Sequence, residues 1–139
     1  MPDNKLLKLG FLGMGVVGQG VWKHILRHGD ALRSRLGIGL QLYRAAVHDL
    51  SKKRLEEIHA DVLTDDPASI VDDPEVDIVC ELMGGTGQAL DLTLRAFRNG
   101  KSVVTANKAL ICEHGTQLFE TAIEHGDHYL FEASVAGGI

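Results

Sequence analysis

Three glycines stand at G-x-G-x-x-G spacing in Gly13-Met14-Gly15-Val16-Val17-Gly18, and their neighbours give that spacing a chemical meaning. An apolar run over residues 6–12 leads into the hexamer, and Val21-Trp22-Lys23-His24-Ile25-Leu26 leads out with helical periodicity. A strand, a glycine turn and a helix in this order form the context in which such a turn binds a dinucleotide. Gly13 would turn the chain tightly, Gly15 would admit a pyrophosphate against the backbone, and Gly18 would let the helix pack on the sheet. The helix start would add unpaired N–H donors and a partial positive charge. In a chain with 16 glycines the hexamer alone is weak, and the competing reading is a tight turn with no ligand.

Three further segments fall at the carboxyl ends of expected strands, where ligands of open α/β sheets lie. They are His48-Asp49, Gly84–Gly87 and Thr105–Lys108. A carboxylate at the end of the second strand suits a ribose 2′-hydroxyl, and a cation there suits a 2′-phosphate. His48 and Asp49 are adjacent, with Lys52, Lys53 and Arg54 close behind, so NAD and NADP both stay open. Lys108 stands where nicotinamide and substrate should meet, and it could bind an anion or move a proton. As a plain surface lysine it would sit poorly beside the positive end of a helix dipole. Glu81, closing a buried strand, fits a ribose contact or a loop cap equally.

The elements that must position these residues alternate between strand and helix. Strands are predicted at about residues 6–12, 40–47, 76–82, 101–105 and 129–133, with a short strand or extended piece at 61–63. Helices are predicted at about 16–33, 52–59 (with Ser51 as N-cap), 88–98 and 109–125, with a further turn starting at Pro67. Asn99-Gly100 reads as a helix stop. The expected fold is α/β, a Rossmann-type, doubly wound, mainly parallel sheet with helices on both faces, forming one domain over residues 1–139. The apolar, glycine-rich end Ser134–Ile139 looks like a chain cut within a motif.

Composition narrows the partners. A net charge of −5 without a Lys/Arg block argues against nucleic acid and a polybasic membrane surface. No apolar run nears the ~20 residues of a membrane span, and the N-terminus lacks a signal-peptide build, so a cytoplasmic location is expected. Cys80 and Cys112 read as reduced core residues. His24 with His28, and His125 with His128, lack a third ligand at metal spacing and read as solvated surface.

Four segments together resemble homoserine dehydrogenase. They are Gly10-Phe-Leu-Gly-Met-Gly-Val-Val-Gly18, Asp77-Ile-Val-Cys-Glu-Leu-Met-Gly-Gly85, Val103-Val-Thr-Ala-Asn-Lys-Ala-Leu110 and Phe131-Glu-Ala-Ser-Val-Ala-Gly-Gly-Ile139. The second pair is far more specific than the glycine motif. The resemblance implies interconversion of L-homoserine and L-aspartate 4-semialdehyde with NADP or NAD, toward threonine, methionine and isoleucine. It implies that Gly13, Gly15, Val16, Val17 and Gly18 line the pyrophosphate and that Lys108 lies at the reacting centre. It also implies a sodium ion on backbone carbonyls of Glu132, Val135, Gly137 and Ile139. His48 departs from the pattern, because many relatives carry there an arginine that meets the 2′-phosphate. A substrate and dimerisation domain would follow Ile139, so the 139-residue chain is expected to be inactive alone and a homodimer when full length. A non-catalytic NAD(H) sensor and another amino-acid dehydrogenase of the same build are the alternatives.

Overall fold

The computed structural model describes residues 5–56 and 58–131. Six strands form one sheet in the order β3-β2-β1-β4-β5-β6, with every neighbouring pair parallel. They are β1 (Lys5–Leu12), β2 (Ile38–Ala46), β3 (Leu63–Thr64), β4 (Ile78–Glu81), β5 (Ser102–Thr105) and β6 (Tyr129–Phe131). Among the described residues, four α-helices accompany them, α1 (Val16–Leu36), α2 (Pro67–Val71), α3 (Gly87–Arg98) and α4 (Lys108–Glu124), and a 3-10 turn over Ala60–Val62 precedes β3. The strand order reverses between β1 and β4, which makes the fold doubly wound as its alternation predicted.

Period-2 alternation splits the strand side chains between two cores. Leu9 and Phe11 face α1, where Phe11 meets Trp22 edge-on at 5.3 Å between ring centroids. Leu12, Val79 and Val103 face the opposite side, packed with Ile70 and Val71 of α2, Leu94 and Phe97 of α3, and Leu110 and Leu118 of α4. The helices end as their residues dictate. Gly37, at φ 68°, returns its N–H to the Arg33 carbonyl at 2.8 Å, and Gly100 at φ 77° follows the α3 cap residue Asn99.

Two expectations need correction. The described residues of the span 52–59 form no helix. Asp49 Oδ1 accepts both the Ser51 backbone N–H (2.9 Å) and its hydroxyl (2.6 Å), so Ser51 is held in a turn instead of capping a helix. Downstream, the Leu55 N–H goes to the Gln19 side chain of α1 at 3.2 Å, a partner no local pattern reveals. Cys112 is exposed on α4, outside the core. Cys80 is buried, and burial pushes its thiol up to about 12. The expected cation ligands Glu132, Val135, Gly137 and Ile139 lie outside the described residues.

Candidate functional site

At the carboxyl edge of the sheet, β1 ends in the glycine turn, and the three glycines prove to have different reasons for being glycine. Gly13 has φ 100°, and a Cβ there would come within 3.0 Å of the Leu82 carbonyl. Its N–H donates to the Ala46 carbonyl at 2.9 Å, so the turn is wedged between the ends of β2 and β4. Gly18 lies under the turn, where a Cβ would sit 2.7 Å from the Gly13 carbonyl oxygen. The chain's own packing therefore requires both.

Gly15 is different. Its φ of −82° suits any residue, and a Cβ would meet nothing in the rest of the chain within 4 Å. Gly15 is the N-cap of α1, no side chain caps that end, and the first turn holds no acidic residue. The orphan N–H groups and the positive end of the dipole remain available to an anion. Gly84, on the wall formed by β4, is equally open around its Cβ position.

These glycines border a cleft of about 500 Å³. Gly13, Met14 and Gly15 form its floor; Val47, His48 and Asp49 continue from β2 on one side; Leu82, Met83 and Gly84 continue from β4 on the other. Lys52, Arg54 and Asp65 complete the β2 side. Gln19 braces the arrangement, donating to the Met14 carbonyl at 3.1 Å while its amide oxygen holds Leu55. Asp49 is held below the usual carboxylate range by the hydrogen bonds from Ser51, side chain first and backbone second.

Behind the β4 wall, Glu81 is fully buried among donors. It accepts from the Thr105 hydroxyl at 2.7 Å, the Met83 N–H at 3.2 Å and the Asn107 amide at 3.4 Å. Burial raises its pKa above the ordinary glutamate value, and those donors oppose the rise. The structure thus places Glu81 as a loop cap, one of its two expected roles. Asn107 uses both ends of its amide. Its nitrogen donates to the carbonyls of Gly85 (2.7 Å) and Met83 (3.2 Å), while its oxygen accepts the Leu110 N–H (3.1 Å) to cap α4. Lys108, exposed, is the next residue and the first of that helix.

Of the expected site residues, Gly13, Gly15, His48 and Gly84 line the cleft together. Val16, Val17, Gly18, Thr105 and Lys108 lie outside its lining. Val16 and Val17 open α1, where their backbone N–H groups are among the unpaired donors. Thr105 is buried against Glu81. Lys52, Arg54 and Met83 enter the lining without having been expected there; the first two were noted only as nearby charge. Asn107 fell within the Thr105–Lys108 segment and the Val103–Leu110 motif, but no residue pattern marked its bridging role.

A cleft at the switch in strand order, entered by an uncapped helix and floored by an open glycine, fits a pyrophosphate. The family model described as "Homoserine dehydrogenase, NAD binding domain" matches residues 13–132. The chain belongs to the homoserine dehydrogenase family. The homoserine dehydrogenase of Bacillus subtilis is 43% identical over 135 residues, which are 97% of this chain and 31% of that protein. That of Pseudomonas aeruginosa is 41% identical over 135 residues, with the same coverage. A crystal structure of Staphylococcus aureus homoserine dehydrogenase superposes with TM-score 0.89 at 37% identity, covering 95% of this chain and 33% of that one. The chain therefore spans about a third of the length of these relatives and corresponds to the NAD(P)-binding part of the family. Among the described residues, no helix is long and apolar enough to cross a membrane.

Proposed function

We propose that this chain holds NAD(P) across the carboxyl edge of its sheet, as the cofactor-binding part of an enzyme interconverting L-homoserine and L-aspartate 4-semialdehyde. The open Gly15 carries the reading: neither its conformation nor the packing of the chain calls for glycine there, whereas a pyrophosphate on the α1 N-terminus does. When bound, the dinucleotide supplies the hydride chemistry, and the protein supplies binding and orientation. The turn and the first N–H groups of α1 hold the phosphates, with Val16 and Val17 contributing backbone donors and Gly18 keeping the helix close. Gly84 leaves room on the β4 side, Thr105 acts from behind that wall, and Lys108 offers a cation beside the reacting end. The reading places the parent enzyme in the cytoplasm as a homodimer whose partners are small molecules.

On the adenosine side, the same reading favours the 2′-phosphorylated dinucleotide. Lys52 and Arg54 border the cleft there, and Asp49 Oδ1 is already committed to its own turn. Titration of the 139-residue chain with NADPH and NADH, followed by nucleotide fluorescence, tests both statements. Saturable binding, tighter for NADPH, is expected, with no homoserine-dependent reduction of NADP by this chain alone. Absence of binding would overturn the cofactor reading, and turnover would overturn the assignment of the remaining chemistry to the longer relatives' additional length.

A further inference from the structure

Glu81 is a buried carboxyl with no salt bridge among the described residues, and no binding step described above uses it. It lies at the end of β4, beyond the switch point from β2. A dinucleotide whose adenosine lies over the end of β2 directs its nicotinamide half over β4 and β5. The Glu81 side chain, bonded to Thr105 of β5, is therefore on the side of the reacting half of the cofactor, although its backbone pairs with Leu12 just before the glycine turn.

Its contacts join two segments that the Asn107 amide also bridges directly, through the Met83 and Gly85 carbonyls. One oxygen receives Thr105, whose hydroxyl oxygen in turn accepts the Asn107 backbone N–H at 2.9 Å. The other receives the Met83 N–H and the Asn107 amide, and that amide also holds the Met83 and Gly85 carbonyls. Tyr129 of β6 feels the same charge: burial first, then the Glu81 carboxylate, push its phenol above the ordinary tyrosine value. All three groups bonded to Glu81 are donors, which is what an acceptor-only carboxylate requires. A neutral amide at position 81 would keep only one acceptor oxygen, so that either the Thr105 hydroxyl or the Met83 N–H and Asn107 amide would lose the acceptor they now share.

We propose that Glu81 is a positioning residue that, through Thr105 and Asn107, locks the Met83–Gly85 loop to the first turn of α4 and so fixes the nicotinamide half-site and the origin of Lys108. The inference rests on the dinucleotide reading, and its test separates the two. Glu81→Gln is made in the 139-residue chain, and affinities for NADPH and for 2′,5′-ADP, which carries only the adenosine half, are compared. Loss of one buried, charge-assisted network should weaken NADPH about tenfold and leave 2′,5′-ADP within about twofold. Thr105→Val should repeat that pattern, and Thr105→Ser, which keeps the hydroxyl, should restore it. These two variants decide the matter if Glu81→Gln does not fold. Equal weakening of both ligands, or none of NADPH, would overturn the positioning role alone. Failure of the unaltered chain to bind either ligand would overturn the dinucleotide reading and this inference with it.

Discussion

The two halves of the cleft are built by different means. On the β1–β2 side, backbone shape does the holding: Gly13 turns against Leu82, Gly18 lies on Gly13, and the free N–H groups of α1 face outward. On the β4–β5 side, side chains do it: one carboxylate, one hydroxyl and one amide, all buried, tie a glycine loop to a helix start. A pyrophosphate is the same in every dinucleotide, and backbone donors suit it without further adjustment. The reacting half must hold a ring and a substrate in register, and rigid side-chain networks supply that kind of precision.

The contrast can be broken on either side. The largest effect should come from Asn107→Ala, which removes the α4 cap and leaves the Met83 and Gly85 carbonyls without their donor. A loss of about 3 kcal/mol is expected, combining a cap with unsatisfied polar groups, and urea denaturation measures it. A loss below about 1 kcal/mol would mean that this half is not held by side chains. Gly18→Ala should cost about 2 kcal/mol, because its methyl would meet backbone 2.7 Å away, which cannot swing aside. An unchanged denaturation midpoint would show that the turn can relax.

These two residues also mark how far sequence can reach. Gly13 and Gly18 were legible because a strand–turn–helix unit is local and its steric demands recur at fixed spacing. The six strands and their order class were legible for the same reason, through the alternation of apolar runs with helical spacing. Asn107 was not, because its value depends on Met83 and Gly85 arriving beside it from another strand. The helix expected at 52–59 failed for a related reason: Ser51 resembles an N-cap, but Asp49 takes its hydroxyl and Gln19, 36 residues away, takes the Leu55 N–H. Local propensity was right about the residues and wrong about their partners.

Smaller effects sharpen the comparison. His48→Arg should tighten NADPH by about 1 kcal/mol relative to NADH through a charge-assisted contact, read from the ratio of the two Kd values. An unchanged ratio would place position 48 away from the ribose. Smallest is a pH slope. Burial raises the Glu81 pKa in the folded chain, so its contribution to stability is full below the ordinary glutamate value. That contribution fades as pH rises through the raised value. Relative to Glu81→Gln, the unaltered chain should lose stability over that interval, as thermal melts from pH 4 upward would show. Parallel curves would mean that Glu81 does not titrate differently on folding.

On this reading Gly15 is glycine for a ligand and not for the fold. Gly15→Ala, measured for both melting temperature and NADPH affinity, tests it most directly. A stability change of about 1 kcal/mol or less is expected, together with a Kd raised about tenfold or more. Unchanged affinity, or a stability loss as large as that of Gly18→Ala, would contradict it.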